Sequence, residues 1–299
     1  MTQKIFPGAV VQDSAPPHLG DLPPRLARLC LGVAAFLTDE CGHDPVGATW
    51  IAAYSGGPDS AALLAVLEIL APRLGAGLEA VHLDHGLRPE SADEARVIVA
   101  SCRKRGILCH TRRTDVSALA GEHGVGLEDA GRLARYAFFD EVRAGRPKAW
   151  IMLGHQLNDL AEDQLMRLSR GTGWPALGGM VALDATRRLL RPLLLTPRRD
   201  IEALIAALGT QALRDPSNSD PAFLRNRVRG HMLPLLTAEN PRYLEAAARL
   251  WRQARCDADY FETSLPDFPD PTVLPVAALR DLAAALRFRL YRRALAALG

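Results

Sequence analysis

The sequence predicts an α/β protein, a doubly wound and mostly parallel sheet with a smaller C-terminal helical domain. Three observations point there. Four short apolar runs, 50–54, 78–83, 107–111 and 150–153, are too short and too continuous for amphipathic helices and read as strands buried on both faces. Stretches of helical length and spacing follow them, at 60–70, 90–105, 127–143 and 158–170. From Val228 onward nothing reads as strand.

Taken in order, residues 1–46 are expected to form a Pro-rich leader and one extra helix over 22–41. The alternating sheet domain occupies 47–215, and 216–299 form the helical domain, with the boundary somewhere in 209–235. Within it, 171–179 is a Gly-rich loop, 189–195 a last strand or extended segment, and 198–208 a helix stopped by Gly209. The final segment sets Leu279, Leu282, Leu286, Leu290, Ala294 and Leu298 at helical spacing, an apolar stripe that must pack on something. Arg280, Arg287, Arg289, Arg292 and Arg293 lie mostly off that stripe.

Composition sets the class. Of 299 residues, 48% are hydrophobic and 23% charged, which excludes a disordered, collagenous or disulfide-scaffold chain. No apolar run is long enough to span a membrane, and the first residues carry no apolar signal region, so a soluble, cytoplasmic protein is expected. The five cysteines (30, 41, 102, 109, 256) contain no C-x-x-C pair, and 102 and 109 stand too far apart in sequence to read as a sulfur-relay pair. The net charge of +2 divides unevenly. Residues 191–299 hold 16 Arg against 12 acids, a balance of +4, and the rest of the chain carries −2. All but three of the basic residues are Arg, which fits genomic base composition as well as phosphate recognition.

The most informative residues are Ser55-Gly56-Gly57-Pro58-Asp59-Ser60, between a strand and a helix. Two glycines let the backbone turn its N–H groups inward, and the helix behind adds unpaired N–H groups and a positive dipole end, a cradle for a phosphate or pyrophosphate. Pro58 suits a first helical turn, Ser55 and Ser60 offer hydroxyls, and Asp59 can hold a divalent cation. No Lys lies near the loop, and neither G-x-x-x-x-G-K-[ST] nor G-x-G-x-x-G is present. An ordinary P-loop and a dinucleotide-binding turn are therefore excluded.

This loop resembles that of the N-type ATP pyrophosphatases. Further blocks narrow the likeness to the tRNA(Ile)-lysidine synthetase family: residues 81–91 around Asp84 and His85, Gly126-Leu-Glu128 with Arg132 and Arg135-Tyr136, 170–173, Arg191-Pro-Leu-Leu194, and Asp215-Pro-Ser-Asn218 followed by Phe223 and Arg225-Asn-Arg227-Val-Arg229. The resemblance runs in order from about 48 to 236, with a weaker echo in the last helix. It implies a ligase that uses ATP and Mg²⁺ to adenylate the wobble cytidine of an isoleucine tRNA with a CAU anticodon, then joins free L-lysine at C2. It also implies ATP binding by Ser55, Gly56, Gly57, Pro58, Asp59, Ser60, Asp84 and His85, and metal binding by Asp59, Asp159 and Glu162. Catalysis falls to Asp59, Arg132, Asp159 and Glu162, and tRNA contact to Arg191, Arg225, Arg227 and Arg229. Arg225 and Arg229, one helical turn apart, can meet phosphates from one face.

One motif departs from the family pattern. Where the family reads His-x-x-Asp-Asp-Gln-x-Glu-Thr, this chain has His155-Gln-Leu-Asn158-Asp159-Leu-Ala-Glu162-Asp163. Asn158 removes a charge that could bind metal or lysine's amine, and Asp163 either returns it one turn later or faces solvent. Arg214 also stands where an acid is usual. His155 either lines the site or is structural. Two readings remain open, a working synthetase and a paralogue that binds ATP and tRNA but uses another amine or lacks catalysis. Monomer and homodimer are both compatible with the sequence.

Overall fold

A computed structural model describes residues 17–88, 90–210 and 224–298. Its centre is a six-stranded sheet in the order β3-β2-β1-β4-β6-β5. The strands are β1 (Thr49–Ala53), β2 (Gly77–Asp84), β3 (Leu108–Arg113), β4 (Ala149–Met152), β5 (Leu183–Asp184) and β6 (Leu189–Leu190). All neighbours run parallel except β5, which pairs antiparallel with β6. The expected strand at 189–195 is thus only two residues long, and the hairpin partner β5 has no counterpart in the sequence reading. Successive β1 side chains alternate faces, as the period of two requires. Trp50 and Ala52 enter the core under α1 (Pro24–Ala35) and α2 (Pro58–Leu74), while Ile51 joins Phe138 and Phe139 of α5 (Leu127–Arg143) on the other side. The sheet is doubly wound.

The extra N-terminal helix begins at Pro24 and continues from α1 through a π turn, Phe36–Glu40, close to its expected span. Its Leu26, Cys30, Val33 and Leu37 are buried against α2, so it belongs to the sheet's core and not to a separate leader. Helix α2 is covered on nearly every side, with residues 60–71 all buried, and stops at Gly75 with φ +71°. Between α3 (Ser91–Lys104), β3 and α5 the chain forms a helix absent from the sequence reading, α4 (Val116–His123). The fold also brings Cys102 of α3 and Cys109 of β3 into thiol contact despite their separation in sequence, and both remain free thiols.

Behind the sheet, α6 (Leu157–Ser169) is the seam. The expected boundary at 215/216 and the Asp215-Pro-Ser-Asn218 block lie outside the described residues. The chain resumes as α8 (Leu224–Arg227), which follows α7 (Arg198–Ala207) and runs through a π turn into α9 (Leu233–Glu239). Then come α10 (Tyr243–Ser264), α11 (Val276–Arg280) and α12 (Ala284–Leu298). Val228, Leu233 and Ala247 close over Ala161 and Leu165 of α6. Gln164 donates from one amide nitrogen to the carbonyls of Gly178 and Ala247 at 2.9 and 3.0 Å, and Trp251 donates to Met180 O at 2.9 Å. Of the C-terminal stripe only Leu290 and Ala294 are buried, while Leu298 is exposed. No helix among the described residues is long and apolar enough to cross a membrane.

Gly178 is where the loop meets α10 most closely, because a Cβ there would collide with the Ala254 Cβ. Gly178→Ala is expected to cost about 1–3 kcal/mol by overpacking. Adding Ala254→Gly should recover part of that loss, since the next nearest atom, Ala254 Cα, lies at 3.7 Å. Urea unfolding of the single and double variants checks this, and a double variant no more stable than Gly178→Ala would place the strain elsewhere.

Candidate functional site

Strand order locates the site. From β1 the chain winds outward through β2 and β3, then crosses back to place β4 on the other side of β1, so the β1 and β4 carboxyl ends flank a topological switch point. Open parallel sheets bind ligands in that crevice. The 55–60 loop leaves β1 and the 153–159 segment leaves β4, so the two motifs singled out in the sequence face each other. Gly154 permits the approach: a Cβ there would lie 3.1 Å from Asp59 O and 3.2 Å from its carbonyl carbon.

The phosphate loop is held by its own hydroxyls. Gly56 has φ +84°, a conformation that favours glycine, and Pro58 occupies the first turn of α2. Ser60 Oγ donates to Gly57 O at 2.8 Å and accepts from Ser55 N at 3.2 Å, and the two serine hydroxyls lie 3.2 Å apart. These hydroxyls shape the loop, leaving backbone N–H groups as its main ligand donors. Asp59 makes no hydrogen bond or ion pair among the described residues. Burial and then the neighbouring Asp159 charge push its pKa up to about 6, against opposing pulls from Arg198 and Arg229. A second carboxylate is thus within electrostatic reach of the loop.

Asp159 and Glu162 share one face of α6, are 6% and 1% exposed, and meet two guanidinium groups. Arg225 reaches Asp159 Oδ1 at 2.7 Å and Glu162 Oε2 at 3.0 Å. Arg229 reaches Glu162 Oε1 at 2.7 Å and Asp159 Oδ1 at 3.1 Å. The remaining Asp159 oxygen, Oδ2, accepts from Gln156 N at 3.0 Å and caps α6. Burial works against the Arg225 charge, yet the two carboxylates hold its pKa above the ordinary value. Arg225 and Arg229 therefore turn their guanidinium groups toward these acids, while both side chains stay 36% exposed. Among the described residues no group of three His, Cys, Asp or Glu side chains could hold a metal. The expected set of Asp59, Asp159 and Glu162 is not assembled, because guanidinium groups occupy the latter two.

The departures from the family pattern find local explanations. Asn158 points away from this cluster, and its Oδ1 accepts from Arg198 N at 3.2 Å, in the first turn of α7. Asp163 is half-buried and pairs with Arg167 one turn on at 2.8 Å. Asp84 is buried; burial raises its pKa, but Ser91, the Gly86 N–H at 2.9 Å and Arg113 together bring it below the ordinary value. Its carboxylate holds its own turn. His85 lies against α5, where Gly131 leaves room: a Cβ there would be 3.2 Å from the imidazole. Arg132 is exposed and stacks 5.3 Å from the Tyr136 ring, Arg191 is buried, and Arg227 is exposed. Sequence reasoning passed over Gly154 and Arg198, and nothing in their spacing marks them.

Comparison with known proteins follows this geometry. The family model of the PP-loop domain matches residues 35–236. The tRNA(Ile)-lysidine synthase of Nitratidesulfovibrio vulgaris is 52% identical over 213 residues, which cover 71% of this chain and 61% of that protein. That of Thermobifida fusca is 38% identical over 283 residues, covering 93% of this chain and 84% of the relative. The chain thus spans about three fifths of the first relative's length and most of the second's. Among solved structures, the U34-tRNA thiolase NcsA from Methanococcus maripaludis superposes with a TM-score of 0.62 at 16% identity, over 77% of this chain and 79% of that one, a likeness of fold. The ordered motifs, the sheet and these matches agree, and the chain belongs to the tRNA(Ile)-lysidine synthase family of PP-loop proteins.

Proposed function

We propose that this chain adenylates the wobble cytidine of an isoleucine tRNA with a CAU anticodon and joins L-lysine to its C2. The observation that carries the reading is the convergence of the 55–60 loop and the buried carboxylates of α6 on one switch-point crevice. The loop N–H groups and the α2 N-terminus receive the ATP phosphates. Arg132, exposed on α5, is assigned to offset their charge.

Mg²⁺ fits Asp59 and does not fit Asp159 or Glu162, whose oxygens already accept N–H groups. One carboxylate plus substrate phosphates is an ordinary way to hold this ion, which neutralises phosphate charge when bound. Asp159 and Glu162 are held by Arg225 and Arg229, so they act on lysine's amine only where it displaces a guanidinium group. The flipped base must lie over this crevice, and the net positive 191–299 region, with exposed Arg227, faces the RNA. Asn158 gives no reason to favour a silent paralogue, since its amide oxygen accepts the Arg198 N–H at the start of α7, a bond a carboxylate would accept equally.

Labelled lysine should enter the tRNA in the presence of Mg·ATP, with one pyrophosphate released per lysine joined. Pyrophosphate release that proceeds fully without lysine, or label that never reaches the RNA, would sink the ligase reading. Asp59→Asn is expected to lower the rate by about a hundredfold or more, the scale of several kcal/mol of lost charge stabilisation. The pH dependence carries a sign. With its pKa raised to about 6, Asp59 is protonated below that pH and charged above it. Affinity for Mg·ATP should therefore rise as pH increases through about 6 and then level off, and Asp59→Asn should flatten the step. Isothermal titration across that range measures it.

A further inference from the structure

Beyond Arg132, the crevice has a cationic flank with no role so far. Leu153 N donates to Leu190 O at 2.8 Å, so the chain leaves β4 and β6 side by side, with His155 and Arg191 emerging next to each other. Arg191 is 9% exposed; its Nη1 donates to Val181 O at 2.7 Å, but its Nε is buried and has no partner. His155 Nδ1 is likewise buried and unpartnered. From α5, Arg132 and Arg135 come within electrostatic reach, and neither makes an ion pair among the described residues. Arg187 joins Arg132 over Tyr136, at 5.5 and 5.3 Å from the ring centroid.

The charges there are poorly compensated. Asp163 and Asp184 are the acids that face Arg191, yet Asp163 pairs with Arg167 and Asp184 accepts the Arg187 backbone N–H at 3.0 Å. Arg135 is exposed; burial of its guanidinium among protein atoms disfavours its charge and Arg132 adds to that, against opposing pulls from Tyr136 and Glu128. Burial first, then Arg191, Arg225, Arg135 and Arg132, push His155 down to about 3 and keep its ring neutral, with one nitrogen a donor and the other an acceptor. Arg225 among these is already paired with Asp159 and Glu162, but the other three guanidinium groups have no ion pair among the described residues and repel one another, and a phosphate group has the oxygens and charge to bind several forks at once.

We propose that Arg135, Arg191 and His155, with Arg132 at the mouth, form a second phosphate site on the β4–β6 side of the crevice, separate from the 55–60 loop. The site rests on the ATP and tRNA reading for the source of its phosphate, which is either the pyrophosphate end of ATP or a backbone phosphate beside the target base. Arg135→Gln tests it, because that side chain makes no hydrogen bond or ion pair among the described residues; His155→Ala is the second variant, and Arg103→Gln, at the far end of α3, controls for charge alone. Binding of inorganic pyrophosphate with Mg²⁺, and of an isoleucine tRNA transcript, would be titrated for each at several salt concentrations.

Arg135→Gln and His155→Ala should each weaken one of the two probes about tenfold, the weight of one charge-assisted hydrogen bond, while Arg103→Gln changes neither. Loss confined to pyrophosphate assigns the site to the nucleotide. Loss confined to tRNA, with the Arg135→Gln salt slope reduced by about one charge, assigns it to the RNA backbone. If the wild-type protein binds both probes and neither site variant alters either, the second site is overturned and the ligase reading stands. Wild-type protein that binds neither probe overturns both.

Discussion

Two carboxylates on α6 facing two guanidinium groups at the start of the helical region form the contact on which the arrangement depends. Glu162 is 1% exposed, and a charge so enclosed is tolerated only beside a partner. The sheet domain supplies the acids and the helical region the bases. Neither half of the crevice is electrostatically complete alone. Removing one partner from such a pair typically costs about 3–5 kcal/mol, because the other charge is left buried. The i,i+3 spacing of Asp159 and Glu162 and the i,i+4 spacing of Arg225 and Arg229 are what let two helical faces meet in pairs.

That contact also separates two kinds of charge around the switch point. On the β1 side burial and then the neighbouring Asp159 charge outweigh the pull of Arg198 and Arg229 on Asp59, which is why its proton is held up to about pH 6. On the β6 side the imidazole of His155 stays neutral because it is buried and, after that, because Arg191, Arg135 and Arg132 lie within electrostatic reach. The crevice thus runs from a place that favours a cation to one that favours an anion, with the compensated cluster between them. A substrate bearing both signs of charge, such as Mg·ATP or a zwitterionic amino acid, meets complementary ends.

Much of this was legible in the sequence, for physical reasons. Parallel strands buried on both faces leave continuous apolar runs, and a phosphate loop needs glycines, a helix N-terminus and small polar residues in fixed order, so both leave dense local signals. The hairpin of β5 and β6 was not legible because each strand has only two residues. Helix α4 has an Asp115 cap accepting Ala118 N at 3.0 Å and a Gly124 stop at φ +63°, yet eight residues are too few for a period to show. The destination of Arg225 and Arg229 is a different matter. Spacing puts them on one face, but whether that face meets RNA or Glu162 depends on a helix more than sixty residues earlier. Asn158 likewise read as a lost charge, when its partner is the backbone of a helix forty residues on.

The close passage of α10 over Gly178 constrains how length can change in this chain. Gln164, Trp251 and the Gly178–Ala254 contact fix the helix along its axis, so inserting one residue between Tyr243 and Ala254 would rotate that face by about 100° and break the docking on one side of the insertion. After Leu265 the chain runs irregular and mostly exposed to Pro275. Extra residues there would displace only α11 and α12. Any tag or additional module grafted into the helical region belongs in that stretch, downstream of the helix that holds the crevice's back wall.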